Sequence, residues 1–328
     1  MKKIQWKKRL CLLLAGLALT VQTACAAGEN TSTVQNSDSV SGVQKEAVTF
    51  TDALGRSVTV ESWNRVAALY GSFAETWTLA GGTLVGSTDD AIKERGMDLG
   101  PDVAVVGTTK EPNTEELFAL NPDFVLLSAE TPTQVSLDDT LTRAGIPHAY
   151  LRTNTFDEYL TVLHQFCEMT GREDLYEKNG LAVQCQIDAV CEKVRQSGEP
   201  APTVLFLRAY SGGGKAKGAD SLTGAMLADL GAENLADRTP SLLEDLSMEE
   251  IVTADPDYIF VTTMGANTEN SMAWMTEHLE NSPAWSGLKA VQEGHYHILP
   301  KELFHYKPNA RWGESYEYLA KLMYPDLF

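Results

Sequence analysis

The chain has 328 residues, with 26 Lys and Arg against 45 Asp and Glu, a formal net charge of −19. The first 24 residues hold five of the positive charges and no acid, so the remainder carries about −24. Such acidity excludes nucleic acid as a partner, because that binding is driven by Lys and Arg contacts to phosphate, and it suits a domain that stays soluble beside an anionic membrane.

In chain order the first element is an export signal over residues 1–24. Lys2, Lys3, Lys7, Lys8 and Arg9 precede an almost purely apolar run over 10–21. A basic stretch, a short apolar stretch and small residues make a secretory signal, and the run is too short for a span of about 20 residues. Thr23-Ala24-Cys25-Ala26 looks like a lipobox with Cys25 as the lipidated first mature residue, although Gln22 stands where Leu is usual. Ala24-Cys25-Ala26 also fits ordinary A-x-A cleavage. Residues 25–47 are then the lipidated cysteine and a tether. The stretch 26–45 is rich in Ser, Thr, Asn, Gln and Gly and has too little apolar surface to fold. The expectation is an extracytoplasmic protein, a monomer, held to the membrane through Cys25.

Residues 48–60 read as a hairpin around Leu54-Gly55. A strand over 65–69 and a helix over 73–80 follow, then short strands at 84–85 and 103–106. Next come a helix over 133–144 stopped by Gly145, a strand over 148–151 and a helix over 156–170. Residues 173–197 contain no Pro, a single Gly180 and apolar residues at helical spacing. They read as one long helix between Gly171 and Gly198-Glu199-Pro200. Beyond it lie a strand over 204–207, a helix over 222–230, a strand over 296–299 and a last helix over 311–323. This alternation predicts an α/β fold. Two Rossmann-like lobes, 48–171 and 201–328, are joined by one long helix over 172–200, with a ligand cleft between them and limited hinge motion. Cys167, Cys185 and Cys191 are odd in number and lack CxxC spacing, which argues against a zinc site or a disulfide framework. They read as buried free thiols.

The chain also repeats itself. Residues 115–127 (EELFALNPDFVLL) parallel 249–261 (EEIVTADPDYIFV) at a constant offset of 134. Each copy reads as a short helix, a Pro-Asp break and a buried strand. Pro lacks an N–H and clashes with the preceding turn, and an apolar strand-length run fits a parallel strand covered on both faces. Two copies of one unit imply two similar lobes.

These residues resemble a known family over roughly 48–328: the iron-siderophore, cobalamin and heme binding proteins of ABC importers, the type with a single long inter-lobe helix. Thr51-Asp52-Ala53-Leu54-Gly55-Arg56-Ser57-Val58 is similar to its opening hairpin. Arg65-Val66-Ala67-Ala68-Leu69 with Phe73-Ala74-Glu75 and Ala80-Gly81-Gly82 resembles its first strand and helix, and Arg143-Ala144-Gly145-Ile146-Pro147 a later helix-strand turn. The resemblance implies a protein that captures a ferric siderophore or related iron chelate and delivers it to an ABC permease and its ATPase. A corrinoid or heme is the alternative cargo. It further implies that Glu115 and Glu249, equivalent members of the repeat, dock on permease arginines, for which a carboxylate is a directional partner. Acids that merely complement a helix dipole are the competing reading.

Ligands of two-lobed α/β proteins bind beyond the carboxyl ends of strands. That rule selects Tyr70, Thr108, Lys110, Ser128, Glu130, Arg152, Arg208, Tyr210 and Met264. Arg208 carries most weight, since its planar donor fork suits an anionic chelate. Residues 211–215 (SGGGK) look like a phosphate loop but Ala216 breaks the motif. They read as a mobile cleft loop with Lys215 and Lys217 as ligand candidates. Residues 304–312 gather His305, Tyr306, Arg311 and Trp312 in an acidic chain, a mixture suited to a conjugated or catecholate ligand. His305 or Tyr306 could serve as an axial ligand to a heme or corrinoid metal. His295 and His297 read as surface residues. No GxSxG, HExxH or complete P-loop is present, so an enzyme is disfavoured. A free-metal-ion site would need more converging histidines than the cleft candidates supply. No resident cofactor is expected; the metal chelate is the cargo.

Overall fold

The computed structural model describes residues 46–244, 246–265 and 268–328. The signal sequence, Cys25 and nearly all of the tether lie outside the described residues. Strands β1 (Val48–Thr51) and β2 (Ser57–Val60) form the expected antiparallel hairpin. Two sheets follow. The first contains β3 (Val66–Ala68), β4 (Leu84–Ser87), β5 (Ala104–Val105), β6 (Phe124–Ser128) and β7 (His148–Leu151), in the order β5-β4-β3-β6-β7, all parallel. The second contains β8 (Thr203–Tyr210), β9 (Gly213–Ala216), β10 (Glu233–Asn234), β11 (Tyr258–Thr263) and β12 (Tyr296–Ile298), in the order β10-β8-β11-β12. β9 turns back antiparallel onto β8.

Side-chain alternation explains why both faces of each sheet are covered. Along β8, Leu205 and Leu207 enter one apolar cluster while Val204 and Phe206 enter another. Along β6, Val125 and Leu127 separate in the same way from Phe124 and Leu126. The period of two is that of a strand, and burial on both faces is why these runs are continuously apolar. The largest cluster passes through both lobes. It joins Trp77 and Phe166 of the first to Phe260 and Trp312 of the second by way of Val183, Ile187, Val190 and Val194. Phe156 and Trp312 meet edge to face across it at 5.9 Å. A shared core of this kind resists large hinge rotations.

The connecting segment is helical throughout but is not uniformly α-helical. Glu173–Tyr176 is α-helix, Glu177–Leu181 is a π turn, and Ala182–Ser197 is α-helix again. The predicted stops hold: Gly171 and Gly198 both adopt positive φ, +70° and +71°. At the π turn the Tyr159 hydroxyl donates to the Asn179 carbonyl and the Asn179 amide donates to the Leu79 carbonyl. The predicted helix over 133–144 is two short ones, Pro132–Val135 and Asp138–Arg143.

The repeat is structural as well as sequential. Helices Thr114–Ala119 and Met248–Ala254 both stop before the Pro, where Asn121 and Asp255 take left-handed φ values of +44° and +40°. Asp123 then accepts from the Asn64 and Arg65 amides and the Ser62 hydroxyl, and Asp257 from the Thr203 amide and hydroxyl. Each aspartate therefore clamps the start of the neighbouring strand, β3 or β8.

Three expectations need correction. Only Cys167 is buried; Cys191 is half-buried and Cys185 exposed, although none is in a disulfide. His295 and His297 are half-buried, stacked on Tyr258 and Phe260 rather than free on the surface. Residues 211–217 are no open loop, because Gly213–Ala216 is the second arm of the β8–β9 hairpin.

Candidate functional site

The first lobe's strand ends are braced from beneath. Gln134 is fully buried, accepts from the Ser128 amide at 2.7 Å and donates to the carbonyls of Leu69 and Thr109. One side chain thus holds the ends of β3 and β6 and the loop after β5 together. Asp90, also buried, accepts from the Gly71 amide at 2.7 Å and from the Thr88 hydroxyl. Burial raises its pKa. Gly71 is required here, since a Cβ would lie 2.7 Å from the Ala91 nitrogen.

Above that frame the two lobes meet. Lys307 sends its ammonium to the Asn154 side-chain oxygen and lies 3.6 Å from Glu130, while Asn154 donates to Glu130. The Lys307 carbonyl accepts from Arg95, which pairs with Glu75. Asn309 is fully buried, with φ +52°. It exchanges hydrogen bonds with Ser72 and donates to Glu75 at 2.7 Å. Residues 307–309 are therefore a strap of the second lobe fastened to the first.

Arg208, His305 and Lys307 gather beside this strap. The charges that act most on Arg208 are Asp220, Glu130 and Tyr70, the last two from the opposite lobe. Burial lowers the pKa of Arg208 and also that of Lys307. Burial, reinforced by Arg208, Lys301 and Lys307, pushes His305 down to about 4, so it is neutral at pH 7. Tyr70 goes the other way, up to about 12, through burial and then Asp90 and Glu94. Among the described residues, Arg208 Nε, His305 Nδ1, Thr153 Oγ1 and Trp312 Nε1 are buried without a hydrogen-bond partner. Buried polar groups are seldom left unsatisfied unless something else completes them.

The structure draws together Tyr70, Glu130, Arg208 and His305. Tyr306 stands beside His305, 5.3 Å between ring centroids, in a cavity of about 60 Å³ that Glu75, Glu94 and Arg95 line from the first lobe. Arg311 lines the same cavity, but its guanidinium is forked onto Glu314. Arg152 is likewise spent on Glu158, within the capping box of helix Phe156–Thr170. Lys110, Lys215 and Met264 are exposed. Arg208 and Tyr210 lie within β8 rather than beyond it, because the strand runs past 207. Ser128 and Thr108 serve their own loops, accepting from the Glu130 and Glu111 amides. Sequence reasoning missed Lys307, Asn309 and Asn154. Asn154 follows β7 and obeys the strand-end rule; Asn309 follows a Pro and is a residue type that tolerates left-handed backbone. Among the described residues, no group of three or more His, Cys, Asp or Glu side chains is placed to hold a metal ion.

Comparison with known proteins agrees with this architecture. The chain is 25% identical over 311 residues to the putative ABC transporter substrate-binding lipoprotein YhfQ of Bacillus subtilis, covering 89% of this chain and 90% of that one. It is 24% identical to the Fe(3+)-citrate-binding protein YfmC of the same organism, covering 85% and 84%. The structure of Staphylococcus aureus SirA complexed with staphyloferrin B superposes with a TM-score of 0.64 at 20% identity, covering 85% of this chain and 98% of that one. That likeness shows the fold of two α/β lobes. Residues 66–303 match the periplasmic binding protein family across both sheets, and the chain belongs to that family.

Proposed function

We propose that this protein is the substrate-binding component of an ABC importer and that it captures an anionic ferric chelate, of the siderophore or citrate kind, between its lobes. The observation that carries the reading is the pair of buried, unpartnered nitrogens, Arg208 Nε and His305 Nδ1, with Lys307 beside them at the lobe boundary. In an acidic protein, a buried guanidinium and ammonium at the lobe boundary suit carboxylate or catecholate oxygens, for which a guanidinium is a directional donor. The relatives' names support iron chelates as the cargo class. Tyr70 and Glu130 would form the first lobe's side of the site. Glu115 and Glu249, both exposed, would meet permease cations. Cys25 would carry the lipid, so Cys25→Ala should release the protein into the medium. The role is binding and delivery, with no catalytic step.

The test is titration of purified full-length protein with ferric citrate, a ferric catecholate and hemin, followed by tryptophan fluorescence and absorbance. Saturable binding of a ferric chelate that Arg208→Ala weakens supports the reading. A Soret shift with hemin, lost in His305→Ala, would favour heme instead; His305 Nδ1 is the observation behind that second reading. Failure to bind any of the three would overturn both.

A further inference from the structure

A larger cavity lies away from the cleft. At the open edge of the first sheet, a groove of about 500 Å³ runs between the segment carrying Asp89, Ile92 and Lys93, the edge strand β5, and the start of helix Thr114–Ala119. Its apolar surface is Ile92 and Val105, 46% and 42% exposed. Its polar rim is Asp89, Lys93, Asn113 and Glu116. Two half-exposed aliphatic side chains thus share one concavity, beside the two-residue strand β5 at the edge of its sheet.

The charge on the rim is unbalanced. Lys93 is committed to Asp89 at 2.6 Å. Among the described residues Glu116 and its neighbour Glu115 have no ion-pair partner, and both are exposed. A segment entering the groove thus meets apolar surface at the bottom and uncompensated negative charge at the helix end. The groove is also continuous with the helix that carries Glu115, since Asn113 caps that helix and Glu116 belongs to it. Among the described residues the second lobe differs. Its sheet ends at β10, with no counterpart of β5 outside it among the described residues. There the repeat helix Met248–Ala254 is flanked instead by helix Ser241–Glu244, held through the Ser241 hydroxyl to Glu250.

We propose that this groove seats an extracytoplasmic loop of the importer's permease, through one apolar side chain resting on Ile92 and Val105 and an adjacent Lys or Arg meeting Glu116. The inference rests on the importer reading and adds a contact to it. Charge complementarity steers encounter and rejects wrong partners, and a filled apolar contact adds shape discrimination.

The test compares Ile92→Lys, Val105→Lys and Val105→Glu with wild type in binding to membrane vesicles carrying the permease, with ferric citrate affinity and thermal midpoint measured on the same proteins. Both positions are exposed, so folding and chelate affinity should be unchanged. Both lysine variants should bind vesicles about tenfold more weakly or worse. Val105→Glu should lose less, because an acid remains compatible with a basic partner. Photo-crosslinking from position 92, but not from Leu54, should capture a permease loop peptide. Vesicle binding by the lysine variants equal to wild type would overturn the proposal, as would a crosslink to a second copy of this chain. If Glu115→Ala plus Glu249→Ala also bound normally, the importer docking reading would fail with it; if only the groove variants bound normally, the groove alone is refuted.

Discussion

Lys307 and Glu130 face each other across the lobe boundary at 3.6 Å, with Asn154 bridging them. The ammonium is nearly buried, whereas the carboxylate is about half exposed, 12% against 46% of the side chain. The pair is therefore partly screened by water, and its value to the fold is modest. Lys307→Ala should cost about 1–2 kcal/mol in urea unfolding, mostly from leaving the Asn154 side-chain oxygen without its donor. A double-mutant cycle with Glu130→Ala should show coupling; strict additivity would mean that the two side chains act independently.

Arg208 answers to a different test. With its Nε unsatisfied and its charge desolvated, it contributes little to the empty protein. Arg208→Ala should weaken ferric chelate binding by about 1.5–3 kcal/mol through loss of a charged hydrogen bond, while the unliganded melting temperature hardly moves. An equally large loss of unliganded stability would make Arg208 a structural residue.

His305 predicts a pH dependence with a definite sign. Its folded pKa is near 4 against an ordinary 6.5. Between those values the unfolded chain binds a proton that the folded chain refuses, so stability falls as pH drops through that window. His305→Gln removes this contribution. From pH 7 to pH 5 wild type should lose on the order of 2 kcal/mol more than the variant. Parallel stability curves for the two proteins would contradict the assignment.

Asn309 is the point where strap and first lobe are joined most closely. It combines a left-handed backbone with three side-chain contacts to Ser72 and Glu75. Asn309→Ala should destabilise by about 2–4 kcal/mol, adding left-handed strain to lost buried hydrogen bonds. Asn309→Gly should recover about 1 kcal/mol of that, since glycine takes positive φ without a Cβ penalty. Equal losses in the two variants would show that the backbone is not part of the cost.

Glu115 and Glu249 sit at matching places in the repeat, each in the first turn of its helix. The double change Glu115→Ala plus Glu249→Ala should leave chelate affinity intact and strongly reduce uptake. Each single change should give a partial defect, and the docking contribution should weaken with salt. A role confined to the helix dipole predicts a stability loss of about 0.3–1 kcal/mol and normal uptake. Normal uptake by the stable double variant would remove these residues from docking.

Much of this was legible in the chain. The offset repeat, the helix over 156–170, the strand over 148–151 and the glycine stops at 171 and 198 are local signals: hydrophobic period, capping residues and backbone conformations that few residue types adopt. They determined two similar α/β lobes, a helical connector and the equivalent places of Glu115 and Glu249 in the repeat. The strand-end rule also selected Tyr70 and Glu130, beyond β3 and β6, and Arg208, which lies within β8 near its carboxyl end. What it could not supply was their sorting. Arg152 and Arg311 look as available as Arg208 in one dimension, yet each has a carboxylate within reach a few residues on in the chain, Glu158 and Glu314, and is neutralised there. Arg208 has no such neighbour on β8, so its Nε stays buried without a partner. Lys307 and Asn309 became cross-lobe contacts only because a strap from the far end of the chain packs against residues more than 150 positions earlier. A sequence pattern records which groups are present at each strand end; which of them find partners depends on distances that exist only once both lobes have closed around a common core.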